Sequence, residues 1–217
     1  MHNLGQTRSS NGRDHLLLTP DTFVRTSLPG LERGEAIVHV SPAVGAGFTQ
    51  YTAELEPSGS MAASSAQRFV YLLSGGLELC GADTSQGLEP GGYAYIPAGM
   101  ECRITARKES RLVVIEKPYE PLSGVEQPGL LVHDEGSVAS TALHGNEDLQ
   151  VRSLLPDVPA FDFAVNTMTY EPGAALSQVE IHVMEHGLLM LEGGGIYRLG
   201  DGWYPVTAGD FIWMAPY

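Results

Sequence analysis

Glu180-Ile181-His182-Val183-Met184-Glu185-His186 is followed, after six residues, by the glycine run Gly193-Gly194-Gly195. Apolar Val179, Ile181 and Val183 alternate with Glu180, His182 and Met184, the period-two pattern of a β-strand running toward a glycine hairpin. On such a strand Glu180 and His182 point the same way, and His186, an even number of steps further on, joins them. A carboxylate and two neutral imidazoles on one face suit borderline or hard divalent ions such as Mn²⁺, Fe²⁺, Ni²⁺ and Zn²⁺. Three protein ligands also leave coordination positions for water or substrate, as a catalytic site requires. The same pattern also fits an edge strand with a solvated polar face, and spacing alone does not separate the two readings.

The surroundings repeat. In the second half Glu171-Pro172-Gly173 forms a turn, the histidine segment follows, and Val206-Thr207-Ala208-Gly209-Asp210-Phe211-Ile212-Trp213-Met214 approaches the end of the sequence. In the first half Glu56-Pro57-Ser58-Gly59 precedes Phe69-Val70-Tyr71-Leu72-Leu73-Ser74-Gly75-Gly76, and then Leu88-Glu89-Pro90-Gly91-Gly92-Tyr93-Ala94-Tyr95-Ile96-Pro97-Ala98-Gly99. Each half reads strand, glycine hairpin, strand, glycine turn, strand, rich in β-branched and aromatic residues. Internal duplication of a small antiparallel barrel accounts for this economically.

The histidine segment closed by Gly193 and the Pro97-Ala98-Gly99 turn resemble the two motifs of cupins, whose jelly-roll barrels hold a metal ion. The order of ligand types looks permuted, with Glu180 in the place of the first histidine, His182 as the second, and His186 in the place of the usual glutamate. That permutation resembles the (S)-ureidoglycine aminohydrolase family. Leu17-Leu18-Thr19-Pro20-Asp21, Lys117-Pro118-Tyr119, Glu185-His186-Gly187 and Gly209-Asp210-Phe211-Ile212-Trp213-Met214 fit the same family, so the likeness covers most of the chain. It implies an all-β bicupin of two tandem jelly-roll barrels, with Mn²⁺ held by Glu180, His182 and His186. It also implies a small-molecule substrate, release of ammonia from (S)-ureidoglycine to give (S)-ureidoglycolate, and a place in purine and allantoin breakdown.

One departure concerns the fourth ligand. With the halves aligned at Gly91 and Gly209, Cys102 falls where the second-motif ligand of a cupin would sit, and the matching position in the second half lies three residues past Tyr217. The family resemblance implies a glutamine there, outside this chain. A barrel ending at Met214-Ala215-Pro216-Tyr217 is expected to lack closing strands and to leave an unpaired edge, and either the natural protein is longer or the end is supplied in some other way.

The first half argues through absence. No histidine occurs between Ser41 and Glu116, and the position equivalent to His186 is Arg68, which has no lone pair for a metal. This barrel is expected to be metal-free; binding of an anion through Arg68 and Arg103 is the alternative.

Residues 1 to 40 read as an amino-terminal arm containing Leu16-Leu17-Leu18 and the apolar strand Ala36-Ile37-Val38-His39-Val40, able to add to a sheet edge. Residues 41–116 read as the metal-free barrel, 117–129 as an extended Pro-rich linker, and 130–217 as the metal-binding barrel. His133 and His144 sit in turn-like polar context and read as surface residues.

Composition fits this architecture and limits the partners. The 217 residues are 43% hydrophobic with 26 Gly and 14 Pro, enough apolar content for two small cores in a chain rich in turns. The formal net charge of −14 opposes nonspecific nucleic-acid binding. Cys80 and Cys102 give neither a disulfide framework nor a thiolate metal site and are expected to be buried free thiols. The first ten residues lack an apolar core and no run reaches the ~18 apolar residues of a membrane span. A cytoplasmic homo-oligomer is expected.

In the chemistry that the resemblance implies, ammonia leaves a carbon carrying amine, ureido group and carboxylate, and water adds to the resulting imine. Glu180 is the best-placed carboxylate for the proton transfers, while His182 and His186 serve ligation. Glu185, at an odd offset, is expected to turn off the ligand face, into a solvated role or one that supports the ligands from behind. A dioxygenase, an isomerase or a non-catalytic small-ligand-binding bicupin stands as the alternative; O₂-dependent turnover would mark the first, and tolerance of His182→Ala the last.

Overall fold

The computed structural model describes residues 6–81 and 85–217, so the first five residues of the expected arm lie outside it. The described chain is built of β-strands joined by turns and short 3-10 segments. In order these are β1 (Ser10–Asn11), β2 (His15–Leu18), β3 (Arg25–Thr26), β4 (Leu31–Val40), β5 (Thr49–Met61), β6 (Gln67–Ser74) and β7 (Leu77–Cys80). They continue as β8 (Ser85–Leu88), β9 (Gly92–Ile96), β10 (Arg103–Ala106), β11 (Ser110–Lys117), β12 (Leu131–Asp134) and β13 (Thr141–Leu143). The remainder are β14 (Asn146–Ser153), β15 (Asn166–Tyr170), β16 (His186–Leu189), β17 (Gly194–Leu199), β18 (Gly202–Thr207) and β19 (Phe211–Met214). No helix among the described residues is long and apolar enough to cross a membrane.

Contacts group the chain into two compact units that cut across the linear division expected from the sequence. One holds residues 6–26, 36–52 and 180–217; the other holds 27–35 and 53–179, apart from 82–84. The amino-terminal arm therefore belongs with the carboxyl-terminal segment.

In the first unit an antiparallel sheet runs β1-β2-β19-β16. Leu16-Leu17-Leu18 and Phe211-Ile212-Trp213 are continuous apolar runs because both faces of this sheet are covered. Leu17, Ile212, Leu188 and Met214 pack on one side with Leu199, Val206, Tyr197 and Tyr204 of the β17–β18 hairpin. Phe211, Trp213, Leu16, Leu18 and Leu189 pack on the other with Val40, Ala46 and Phe48. Leu17, Phe211 and Ile212 are fully buried, each contributing roughly 1.5–3 kcal/mol by apolar burial. The arm is tied down by charge as well. Both amino groups of the Arg8 guanidinium donate to the fully buried carboxylate of Asp210, one of them at 2.9 Å, and Asp210 also accepts from the Thr207 amide at 2.9 Å.

In the second unit the main sheet follows the path β12-β9-β6-β11-β5-β10-β7-β8 and forms a nearly closed barrel. Its core includes Phe69, Tyr93, Tyr95, Leu154 and Leu155. Arg68 is buried and fully engaged, with Nε donating to Glu116 at 2.7 Å and Nη1 to the Ala62 carbonyl at 2.8 Å, while Arg103 donates to Ser60 and Glu32. The anion alternative thus meets an Arg68 already bound to Glu116 and Ala62, whereas Arg103 is engaged through Nη1 and its side chain stays 53% exposed. His133 and His144 are exposed, as expected. Cys102 is buried and burial raises its thiol pKa, but Cys80 is exposed, correcting the expectation of two buried thiols. Cys80 ends β7 with its side chain on the outward side of the alternation.

The duplication carries through to backbone register at a constant offset of 118 residues, the separation of Gly91 from Gly209. In the first half Arg68, Phe69, Val70 and Tyr71 pair with Ile96, Tyr95, Ala94 and Tyr93. In the second, His186, Gly187, Leu188 and Leu189 pair with Met214, Trp213, Ile212 and Phe211, each position shifted by that offset. The hairpins β7–β8 and β17–β18 match likewise, from Leu77↔Leu88 and Gly195↔Val206 to Cys80↔Ser85 and Arg198↔Trp203. Gly91 and Gly209 have φ of 88° and 89°, and their amides donate to Leu72 and Met190, again 118 residues apart. Such left-handed backbone is where glycine is needed.

Candidate functional site: a histidine pair at the mouth of a strand

The segment expected to be a strand is one only at its end. Residues 174–185 form no strand, and β16 begins at His186. The repeat shows the same break for 180–184, since residues 62–66, at the equivalent place before β6, are likewise outside any strand. In neither stretch does the backbone have a ladder partner, so alternation cannot set which side chains converge. Ile181, Val183 and Met184 are accordingly all exposed, at 78, 57 and 57%.

Two of the three expected ligands nevertheless meet. Nε2 of His182 lies 3.1 Å from Nε2 of His186, with ring centroids 4.6 Å apart and planes inclined at 47°. The backbone of His182 is held by the amide of Tyr217, which donates to its carbonyl at 2.8 Å. Glu180 is exposed. Its charge acts on His186, but among the described residues no three His, Cys, Asp or Glu side chains are gathered as a metal-binding cluster. Burial lowers the pKa of the His186 imidazole, His182 lowers it further, and Glu180 and Glu185 pull the other way. The exposure of His186 as a residue tempers the first of these causes.

The pair fits a divalent ion on two grounds. Nitrogens bound to one ion at 2.0–2.1 Å stand about 3.0–3.4 Å apart in octahedral or tetrahedral geometry, the spacing seen here. The Nδ1 atom of His182 is buried with no hydrogen-bond partner among the described residues, an uncompensated polar atom on the ring that meets His186.

Four further side chains share this place, and sequence spacing did not reveal them. Met214 pairs with His186 on one side and with His15 on the other, so all three project from the same face of the sheet. His15 Nδ1 is 2.7 Å from Asp14 Oδ1, and His15 Nε2 is 3.1 Å from the Tyr204 hydroxyl. The bond to His15 holds the Asp14 carboxyl below the usual carboxylate value. The Tyr197 hydroxyl reaches the Met214 sulfur at 3.9 Å. The face carrying His186 is therefore lined by an imidazole, two phenols and a thioether, with the imidazole supplied by the arm. The one sequence signal was the apolar run beginning at Leu16, which marks a strand but not its partner.

Glu185 does turn away from the pair, as its offset suggested, but it is not a free solvated group. Its Oε1 accepts from the Gly47 amide at 2.7 Å and its Oε2 from the Trp213 indole Nε1 at 2.9 Å.

No family model matches the chain. Curated relatives do. Over 216 residues it is 38% identical to the probable (S)-ureidoglycine aminohydrolase of Oryza sativa, covering 98% of this chain and 69% of that protein. It is 38% identical to the (S)-ureidoglycine aminohydrolase of Arabidopsis thaliana, covering 98% and 72%, and 31% identical to that of Escherichia coli, covering 93% and 79%. Among solved structures it is similar to protein Ylba of E. coli, with TM-score 0.87, 29% identity and coverage of 99% and 88%. Oxalate decarboxylase of Bacillus subtilis, at 12% identity and TM-score 0.66 over 97% of this chain and 73% of the other, shares the fold alone, which is of cupin type. On extent and identity together, the chain belongs to the (S)-ureidoglycine aminohydrolase family.

Proposed function

We propose that this chain is a hydrolase that releases ammonia from (S)-ureidoglycine and yields (S)-ureidoglycolate, in purine and allantoin breakdown. The observation that carries the reading is the meeting of His182 and His186 within the Glu-x-His-x-x-x-His-Gly string, in a chain related to these aminohydrolases along almost its whole length. The 118-residue repeat of register supports a bicupin whose first half carries Arg68 where the second carries His186.

Glu180, His182 and His186 would hold a divalent cation, Mn²⁺ by family resemblance. When bound, such an ion supplies a Lewis acid that fixes the carboxylate or amine of the substrate. The chain's own groups do the rest. His182 and His186 bind as neutral rings, a state favoured at His186 by its lowered pKa. Glu180, a carboxylate at the start and at the end, relays one proton between the incoming water and the departing amine, so that a C–N bond is exchanged for a C–O bond and ammonia leaves with no net proton gained by the protein. Asp14, His15 and Tyr204 form a hydrogen-bonded wall on the face that carries His186. A cytoplasmic homo-oligomer completes the proposal.

The test combines elemental analysis of purified protein with ammonia release from ureidoglycine generated in place. Stoichiometric Mn²⁺ and turnover in the wild type, both lost in His182→Ala and His186→Ala, are expected. Full metal content in His186→Ala would sink the assignment.

A further inference from the structure

We propose that Glu185 is the positioning residue of the histidine pair, an anchor that locks the backbone carrying His182 and His186 to the loop at 46–48 that leads into β5 and to β19. This rests on the reading above that the pair is a metal site. The carboxylate accepts one hydrogen bond through each oxygen, from the Gly47 amide at 2.7 Å and from the Trp213 indole at 2.9 Å. Trp213 itself is only 5% exposed and lies opposite Gly187 in the β16–β19 ladder. Glu185 therefore fastens the start of β16 to its partner strand by a side chain as well as by the ladder. The two oxygens of a carboxylate serve two N–H donors without mismatch, which an amide does not.

Fit around the anchor leaves little slack. A Cβ on Gly47 would stand 2.5 Å from Glu185 Oε1, and a Cβ on Gly187 would stand 2.5 Å from Gln50 Oε1 and 2.9 Å from the Phe48 ring. The residues on both sides of His186 are thus seated on the same loop. A shift of the strand end would move His186 relative to His182, whose backbone carbonyl accepts from the Tyr217 amide.

The repeat contains an equivalent bond. The residue 118 positions before Glu185 is Gln67, and the one 118 before Trp213 is Tyr95. The Tyr95 hydroxyl donates to Gln67 Oε1 at 3.0 Å, both residues being fully buried. The same side-chain bond therefore closes the same strand pair in both halves. In the first half the anchor is an amide that also donates, to Asp162 at 2.6 Å. In the second half it is a carboxylate meeting donors only, and there the adjacent residue is a histidine instead of Arg68.

The experiment uses the full chain, with Mn²⁺ alone as probe. Wild type, Glu185→Ala, Glu185→Gln and Trp213→Phe are compared for Mn²⁺ affinity by electron paramagnetic resonance of the free ion, well below the melting temperature. Tryptophan emission of the ion-free proteins and kcat and KM for ammonia release are read alongside. Loss of outer groups that orient ligands weakens metal binding about 10- to 100-fold, and that range is expected for Glu185→Ala and Glu185→Gln. Trp213→Phe, which keeps an aromatic core residue, is expected to show a smaller loss in the same direction. Emission of Trp213 should shift in both Glu185 variants. A merely structural role would lower the melting temperature and leave the Mn²⁺ affinity of folded protein unchanged, and that outcome overturns the proposal. So does failure of the wild type to bind Mn²⁺. A wild type that binds Mn²⁺ but releases no ammonia overturns the activity and leaves the anchor standing.

Discussion

His15 and His186, 171 positions apart in sequence, are both register partners of Met214 and project from one face of one sheet. Strands are spaced about 4.7–4.9 Å apart, so two steps put their backbones roughly 10 Å apart, close enough for both side chains to border one small molecule. The amino-terminal arm is in this sense part of the site. His15→Ala and Tyr204→Phe are each expected to lower kcat/KM for ammonia release about tenfold, the worth of roughly one hydrogen bond. The double variant should lose little more than either single one, because the pair forms one contact. Additive losses in steady-state kinetics would show that the two residues act separately.

The two halves should respond oppositely to loss of their equivalent residues. His186→Ala is expected to abolish Mn²⁺ uptake and lower ammonia release more than about 100-fold. Arg68→Met removes the buried partner of Glu116 and should cost about 1–3 kcal/mol in denaturant unfolding while leaving metal content untouched. A fall in metal content in Arg68→Met would relocate the ion to the first half.

Arg8 and Asp210 hold the arm. Arg8→Met leaves the fully buried Asp210 with the Thr207 amide but without its charged partner. Because the Arg8 side chain is 36% exposed, the expected cost is about 1–3 kcal/mol and not the larger figure for a wholly buried pair. Hydrogen exchange of the β2 amides, which pair with β19, should accelerate in this variant. Unchanged protection would mean that the apolar contacts of Leu16–Leu18 suffice.

Asp162 sets an acid limb of stability. Burial pushes its carboxyl up, but the hydrogen bonds from Lys117, the Glu120 amide and Gln67 outweigh this and hold it below the ordinary value of 3.8. The unfolded chain takes up this proton first as pH falls, so the contribution of Asp162 is complete above 3.8 and disappears as pH drops through the lower folded value. Asp162→Asn should be less stable than wild type at neutral pH, with the difference narrowing below that point. Parallel pH–stability curves in urea titrations would contradict this.

Much of the architecture was legible because it depends on local chemistry. The glycine turns at Gly91 and Gly209, the hairpin glycines Gly75 and Gly193, and the apolar strands between them announce themselves through backbone conformation and burial, which the residue type largely decides. The repeat could be aligned for the same reason, and the alignment correctly set Arg68 opposite His186. The strand expected across Glu180–Glu185 was not formed, because a strand needs a ladder partner and period-two alternation says nothing about whether one exists.

The sequence alone thus determined that this is an all-β chain of duplicated hairpins, with a Glu-x-His-x-x-x-His string at the head of one strand. The meeting of His182 and His186 was expected from their spacing, whereas only the tertiary structure decided that Glu185 bonds to Gly47 and Trp213 and that His15 from the arm joins the same face. The physical reason is separation along the chain. Turns and burial patterns are fixed by neighbours a few residues away, whereas each of the last contacts, apart from the histidine pair, joins residues more than twenty positions apart, chosen by sheet register and packing.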